Sequence, residues 1–355
     1  MRSFRHRALP MRVTFGAGRV AELPAELDEL GLHRVLVLST PGRQRLALDV
    51  AQSLGDRSVG VHPHASEHVP AQAAAGAAKA ATAAAADGCV AVGGGSTIGL
   101  GKALALELGL PVVAVPTTYS GSEMTPVWGL TDDTDTGSTK RTGRDDAVLP
   151  RSVVYDPELT LGLPVDVSVT SGFNALAHAV EALYAPDGSP VTALLAAEGV
   201  RALAGALPAV AAKPRDVDVR GDALYGAWLC GSCLGATTMG LHHQLAHILG
   251  GSFGLSHAAT HTVLLPHVLA FNTPAAPDAD AALRRALDTD RPAAALQALA
   301  AELGAPTTLQ ALGFGAGDID DVARRAAAKP YANPRAVTVE GVREVLVGAV
   351  RGTQL

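Results

Sequence analysis

Aromatic residues are scarce in this chain: two Trp, five Tyr and six Phe among 355 residues. Hydrophobic residues still make up 48%, so alanine, leucine and valine must fill most of a large interior. Cysteine is also rare. Three are present, two as Cys230-x-x-Cys233, which makes no disulfide framework and fits a reducing cytoplasm. That pair lies in a helical pattern, GAWLCGSCLG, and reads as helix packing. An excess of positive charge is missing too. The net charge of −6 argues against nucleic acid or an anionic membrane as a general partner, so an anionic substrate would need a local basic patch. No uninterrupted apolar run reads as a membrane span; the alanine-rich stretch at 71–86 is broken by Gln72, Lys79 and Thr82. The basic start, MRSFRHRALPMR, is followed by no apolar region, so no signal peptide is expected. No internal repeat is visible.

Histidine is what the chain concentrates. Six of its 12 histidines (His242, His243, His247, His257, His261 and His267) fall between Leu241 and His267. His243 and His247 are spaced i, i+4 and share one face of a helix. Gly250 and Gly251 are expected to break that helix, with His257 near the start of the next. Upstream, Asn174 and His178 repeat the i, i+4 spacing in NALAHAVEALY. Imidazoles gathered this way can bind a metal or place a proton donor.

The first half alternates strands and helices, which predicts a parallel sheet wound on both faces. The strand MRVTF leads into Gly16-Ala17-Gly18 and Ala21, a G-x-G-x-x-A without the acidic residue expected after the next strand. A plain turn and a cofactor contact are equally compatible with it. The next strand, RVLVLS, ends in Ser39-Thr40, whose neutral side chains leave NAD and NADP both open. After the strand at Cys89–Val92 stands Gly93-Gly94-Gly95-Ser96-Thr97, with a helix expected from Ile98 to Leu108. Strand, glycine run and helix together let a backbone approach a pyrophosphate at a helix N-terminus. Strand Pro111–Val115 then ends in Pro116-Thr117-Thr118-Tyr119-Ser120-Gly121-Ser122-Glu123, with hydroxyls suited to ribose and nicotinamide. A polar hairpin at 131–149 carries Lys140, Arg141 and Arg144, and strand Arg151–Tyr155 follows. Beyond Pro164 only helical spacing remains, with candidate helices at 165–184, 191–212, 219–239, 242–250, 258–271, 294–303, 319–328 and 339–352. Two domains are therefore expected: an α/β dinucleotide-binding domain, 1–160, and an all-helical catalytic domain, 161–355, with the active site in the cleft between them.

The motifs GGGST at 93–97 and PTTYSGSEMTPVWG at 116–129, with the histidine set, resemble the iron-containing alcohol dehydrogenase family, whose two-domain plan is shared with dehydroquinate synthase. Within it GGGSTIGLGKA, KRTGRDDAVLPRSVVYDPELT, SGFNALAHAVEALYAP and YGAWLCGSCLG look like maleylacetate reductases. The resemblance spans essentially the whole chain. It implies that the positions of one Asp and three His that hold a divalent cation in metal-dependent members fall on Asn174, His178, His243 and His257, and a nicotinamide-side histidine on His247. The departure is Asn174: an amide is a much poorer ligand for such a cation than a carboxylate. Three histidines alone could still hold zinc in an open site, yet the maleylacetate reductases that the chain resembles lack the metal, so no bound metal is expected. Lys140 matches a cofactor-facing lysine and Leu159 lies in the matching interdomain cofactor loop, Asp156–Thr160.

What the resemblance implies is NADH- or NADPH-dependent reduction of the carbon–carbon double bond of maleylacetate, or a close enone diacid, to 3-oxoadipate in aromatic degradation. His243 and His178 are assigned to substrate and oxyanion binding, His247 to proton donation or nicotinamide placement, and Asn174 to an amide donor that suits an anion. Arg141, Arg144 and Tyr119 are candidates for the substrate carboxylates. Tyr331, Asn333 and Arg335 are further candidates, or loop caps. A cytoplasmic homodimer acting on a small dicarboxylate, with neither nucleic acid nor membrane as partner, completes the expectation. The competing readings are a metal-dependent alcohol dehydrogenase or aldehyde reductase, a lyase of dehydroquinate synthase type, and a non-catalytic nucleotide-binding sensor.

Overall fold

The computed structural model describes residues 4–134 and 137–355, with side chains described outside 133–140. The chain divides into two compact units, Leu9–Leu163 and a second made of Pro164–Leu355 with the segment up to Ala8. The division falls at Leu163/Pro164 rather than at residue 160, because Leu163 still hydrogen-bonds back to the tight turn Pro157–Thr160. The N-terminal segment goes with the helices, where His6 Nδ1 lies 3.1 Å from Ser189 Oγ.

The first unit is α/β. In chain order it contains β1 (Arg12–Phe15), α1 (Leu23–Leu30), β2 (Val35–Leu38), α2 (Gln44–Leu54), β3 (Ser58–His62), α3 (Ala71–Ala83), β4 (Gly88–Gly93), α4 (Gly95–Leu108), β5 (Val112–Pro116), β6 (Val127–Thr134), β7 (Gly137–Arg144) and β8 (Ser152–Tyr155). Six strands form one sheet in the order β1-β8-β5-β4-β2-β3, and every pairing in it is parallel. Strands β2, β4, β5 and β8 are buried along their whole length, as expected for a parallel sheet covered on both faces. Their valines (Val35, Val37, Val90, Val92, Val113, Val115 and Val154) pack with Leu23 and Leu27 of α1 and Val50 and Leu54 of α2. The chain steps outward from β2 to β3 and returns to β4 on the other side of β2. Loops leaving β2 and β4 therefore diverge, which opens a crevice at the carboxyl ends of these strands.

The G-x-G-x-x-A segment is a turn. Both carboxylate oxygens of Asp156 accept from it, Oδ1 from the Gly18 amide at 3.1 Å and Oδ2 from the Val20 amide at 2.9 Å. The amides a phosphate would use are already occupied. Strands β6 and β7 form the expected antiparallel hairpin, with Leu130 opposite Arg141. Its base is tied to the loop after β3, where Thr131 donates to the carbonyls of Val69 (from N, 3.1 Å) and His68 (from Oγ1, 2.8 Å).

The second unit is helical: α5 (Val165–Leu183), α6 (Pro190–Ala212), α7 (Val217–Ala236), α8 (Leu241–Phe253), α9 (His257–Asn272), α10 (Pro277–Leu287), α11 (Pro292–Glu302), α12 (Ile319–Ala327) and α13 (Val339–Arg351). Helix α6 is long and apolar enough to cross a bilayer by length and composition. It nonetheless buries Val200, Leu203, Leu207 and Val210. Gly226 of α7 lies so close to it that an added Cβ would sit 2.7 Å from the Leu203 nitrogen. Cys230 and Cys233 are free and buried in α7, where Cys230 Sγ would meet a Cβ on Gly199 at 2.9 Å. Gly250 and Gly251 do not break α8. The helix runs to Phe253 and stops at Gly254, whose φ of +67° is the left-handed conformation that glycine adopts without strain. Helix α10 escapes the apolar-periodicity reading because it buries only Ala279 and Leu283. Acidic residues in its first turn and arginines in its last stabilise it instead.

Candidate active site

In the α/β unit the predicted nucleotide residues gather at the carboxyl ends of β2, β4 and β5, three adjacent strands. Ser39 follows β2, and its Oγ is buried with no hydrogen-bond partner. Gly93 ends β4, and α4 begins at Gly95 rather than Ile98, so Gly95, Ser96 and Thr97 are its first turn. Thr97 Oγ1 is likewise buried without a partner. The loops after β4 and β5 are knitted together by the Thr117 amide, which donates to the Gly93 carbonyl at 3.0 Å. A Cβ on Gly94 would sit 2.8 Å from Thr118 Oγ1, and one on Gly95 3.5 Å from Ser120 Oγ. The backbone is thus bare where a large polar group would lie against a helix N-terminus, which fits a pyrophosphate. Thr40 and Ser122 are half-buried beside these loops, whereas the Leu159 side chain packs on the core of the sheet.

Beneath these loops lies a buried polar cluster with no sequence signal of its own. Lys102 of α4 donates to the Val127 carbonyl at 2.7 Å, and Tyr155 of β8 donates to Glu123 Oε1 at 2.7 Å. All three side chains are at most 1% exposed. Burial pushes the Lys102 ammonium down to about 7, and the Glu123 charge works against that shift. Burial also raises Glu123 and Tyr155.

The candidates for substrate carboxylates do not converge. Arg141 and Arg144 are three residues apart on one strand and so leave the hairpin on opposite faces. Arg141 is held by Asp132 across the hairpin, with Nη2 to Oδ1 at 3.2 Å. Tyr119 is fully buried. The side chain of Lys140 lies outside the described residues.

In the helical unit three helices build the histidine cluster. Helix α5 contributes Asn174 and His178, α8 contributes His242, His243 and His247, and α9 contributes His257 and His261. The rings of His178 and His243 are 5.2 Å apart, those of His243 and His261 4.9 Å, and those of His257 and His261 4.4 Å. Asn174, His178, His242, His243 and His261 are buried, whereas His247 and His257 are exposed on the unit and stack with centroids 6.3 Å apart. The spacing that marked Asn174, His178, His243, His247 and His257 has brought them together. His267 is elsewhere: it packs against Gly348 of α13, and burial lowers it to about 4, so it is a core histidine.

Three further members were not among the assigned site residues. His242 Nε2 and His261 Nδ1 are 2.7 Å apart, and both rings are fully buried. Glu181, also of α5, accepts from His243 Nδ1 at 2.7 Å and from the backbone amides of Gly240 and His242, each at 2.9 Å. Its i+3 spacing from His178 and i+7 from Asn174 was the available signal, since both place it on their face of the helix. Desolvation dominates the imidazoles. It holds His178 and His261 well below the usual histidine value and His242 down to about 3, and neighbouring imidazoles add to it. Desolvation would raise Glu181, but the His243 hydrogen bond, nearby imidazoles and the His242 amide outweigh it, so the carboxylate is held below its ordinary value. Several nitrogens in the cluster remain open: His178 Nδ1, His242 Nδ1, His243 Nε2 and His261 Nε2 are buried with no partner among the described residues. Buried polar atoms are normally satisfied, so this concentration marks a place kept for a ligand.

A family model described as iron-containing alcohol dehydrogenase matches residues 10–157, and the C-terminal model of the Fe-containing alcohol dehydrogenase family matches 168–350. The chain belongs to the iron-containing alcohol dehydrogenase family. It is 51% identical over 344 residues to the maleylacetate reductase of Sphingobium indicum, covering 97% of this chain and 96% of that protein. Against the maleylacetate reductase of Burkholderia cepacia the identity is 51% over 354 residues, with 100% and 99% covered. The crystal structure of maleylacetate reductase from Agrobacterium tumefaciens superposes with a TM-score of 0.96 at 48% identity, each chain covered in full. Membership makes the chain an oxidoreductase and confirms the fold, a parallel α/β unit followed by helices.

The family name implies iron, and the donors in this member do not fit it. Asn174 supplies a neutral amide, a much poorer ligand for a divalent cation than a carboxylate. Glu181, the carboxylate hydrogen-bonded within the cluster, already has both oxygens engaged by His243 and two backbone amides.

The loop residues Tyr331, Asn333 and Arg335 close one end of this region. Asn333 Oδ1 accepts from the Leu241 amide at 3.3 Å and from Asn272 Nδ2 at 3.1 Å. The Arg335 guanidinium lies 4.1 Å above the Phe271 ring centre. Asn333 and Arg335 are loop caps.

Proposed function

We propose that this chain reduces the carbon–carbon double bond of maleylacetate, or a close enone diacid, to 3-oxoadipate without a catalytic metal. The observation that carries this reading is the histidine cluster: open imidazole nitrogens gathered around Asn174, with the nearby carboxylate turned away. The curated relatives that match over their full length supply the substrate class.

A bound NADH or NADPH supplies the hydride, which adds to the alkene carbon β to the ketone. The π electrons then shift toward the ketone oxygen, and the substrate becomes an enolate. His178 Nδ1 and His243 Nε2, the open nitrogens of neighbouring rings, hold that oxygen, the electrostatic role of an oxyanion hole. The Asn174 amide carries an N–H donor and no charge, where an ionised carboxylate would repel the anion. A proton delivered to the α carbon completes the ketone. His247 stands one turn beyond His243 and is exposed, so it can take that proton from solvent. Arg141 or Arg144 meets a substrate carboxylate by exchanging a partner that it already holds, Asp132 in the case of Arg141. Ser39 and Thr40 present no acidic side chain to a ribose 2′-phosphate, which leaves room for either nicotinamide cofactor. The working form is a cytoplasmic homodimer.

The deciding experiment measures NADH oxidation with maleylacetate against a panel of simple aldehydes, with and without a chelator, beside elemental analysis of the protein as purified. The expected result is turnover of the enone alone, indifferent to chelator, with no stoichiometric metal. Aldehyde turnover lost together with one bound zinc or iron per chain would replace this reading with a metal-dependent alcohol dehydrogenase.

A further inference from the structure

Glu181 is fully buried beside the cluster, yet its oxygens are spent on something other than substrate. Oε2 receives the Gly240 amide and His243 Nδ1, and Oε1 receives the His242 amide. Three N–H donors therefore converge on one carboxylate. An ionised carboxylate can only accept, so each donor must bring its own hydrogen. For the backbone amides this is automatic. For His243 it is a choice between two ring nitrogens, and this contact makes the choice.

We propose that Glu181 is the positioning residue of this active site: it fixes the hydrogen of His243 on Nδ1 and thereby presents Nε2 to the substrate. The two backbone contacts serve the same end. Gly240 is the N-cap of α8 and His242 its second residue, at the end where helix amides lack partners. A carboxylate from α5 satisfies them and fixes the start of the helix that carries His243. One side chain thus sets both where the ring is and which of its nitrogens faces the site. The arrangement follows a general pattern in which the second nitrogen of a working histidine is held by a carboxylate. Here it orients an imidazole that binds substrate, not one that binds metal.

This has a consequence for the enolate. With its hydrogen on Nδ1, neutral His243 shows a bare lone pair at Nε2, which cannot stabilise an oxyanion. Holding the ketone oxygen therefore needs a second hydrogen on Nε2, and the carboxylate 2.7 Å from Nδ1 would balance the charge of a ring that carries both. His178, with no carboxylate hydrogen-bonded to it among the described residues, acts as a neutral donor.

The inference has one arm that rests on the proposed reaction and one that does not. The independent arm is the tautomer. Long-range ¹⁵N–¹H spectra of histidine-labelled protein, with the His243 signals assigned by their loss in His243→Ala, are expected to show hydrogen on Nδ1. A His243 protonated on Nε2 with Nδ1 bare would overturn the proposal, whatever the substrate proves to be. The kinetic arm compares Glu181→Gln, His243→Ala and the double variant. Gln has one acceptor oxygen and a donor in place of the other, so it cannot satisfy all three N–H groups. Turnover is expected to fall about 10–100-fold, with the NADH KM within about twofold of wild type. In the His243→Ala background the Gln substitution should cost nothing further. Losses that multiply would show that Glu181 does not act through His243. If Glu181→Gln fails to fold, the wild-type spectrum still decides. If the wild type does not turn over maleylacetate, the proposed reaction fails and the tautomer result stands.

Discussion

Each unit of this protein buries a polar cluster, and the two clusters are built on opposite principles. In the α/β unit Lys102, Glu123 and Tyr155 form direct hydrogen bonds: the tyrosine donates to the glutamate, and the lysine to a backbone carbonyl. None of these three side chains has an orphaned atom, and what the surface offers to a ligand is backbone and hydroxyl. In the helical unit the buried imidazoles of His178, His242, His243 and His261 each keep a nitrogen without a partner. A satisfied buried network rigidifies its surroundings, whereas an unsatisfied one costs stability and persists where function requires it. The first cluster is therefore the frame of a binding loop. The second is the chemistry itself.

Substituting one member of each cluster tests that division. His243→Ala carries the largest expected effect: kcat/KM for the enone should drop about 10³-fold, within the range for a lost proton donor or oxyanion contact, while NADH still binds. An enzyme of wild-type efficiency would remove the imidazole from the reaction. Lys102→Met should do the reverse. It removes the counter-charge of Glu123 and the donor to the Val127 carbonyl, for a loss of about 2–4 kcal/mol in stability with turnover of the folded enzyme nearly unchanged. Its pH signature has a definite sign. Lys102 is held at about 7 in the folded chain and returns to about 10.4 when unfolded. Between those values the unfolded chain holds a proton that the folded one lacks, so the lysine makes stability climb as pH rises from about 7 to about 10. In Lys102→Met that climb should be absent from urea unfolding curves taken across the same range. A variant with the wild-type slope would place the titration elsewhere.

The same contrast explains what could be read in advance. Parallel strands buried on both faces announce themselves as valine-rich runs, and a glycine run between strand and helix has few other uses, so the sheet and its ligand edge were legible. The histidines stood out because i, i+4 spacing survives in any helix. Three things were not legible, for physical reasons. Gly250 and Gly251 carry the helix that they were expected to break, because tertiary packing outweighs a propensity cost of about 1 kcal/mol per glycine. Helix α10 has too small an apolar face for periodicity to register. Glu181 and the Lys102–Glu123–Tyr155 cluster depend on contacts between residues far apart in sequence: Glu181 reaches His243 across two intervening helices of the chain, and Tyr155 reaches Glu123 across the hairpin. Charged residues in a helix are usually solvated, and only the fold reveals that these are buried.

The smallest predicted effect tests the frame at its edge. Gly94 has φ −90° and ψ −162°, which alanine adopts without strain, so the glycine is required for space and not for conformation. Its missing Cβ would stand 2.8 Å from Thr118 Oγ1 and 2.9 Å from Thr118 Cγ2, closer than packed atoms tolerate. Gly94→Ala should therefore push the β5 loop away from the helix N-terminus and weaken NADH binding about 10-fold, or about 1.4 kcal/mol. The histidine cluster should be untouched, so turnover at saturating NADH should stay close to wild type. Adding Thr118→Ala removes the obstructing atoms and should recover part of the affinity. Titrating NADH fluorescence against the single and double variants separates two causes. Recovery in the double variant means that Gly94 keeps the two loops in register. Equal weakness in both means that the added methyl blocks the phosphate itself, and wild-type affinity in Gly94→Ala would move the cofactor away from this loop altogether.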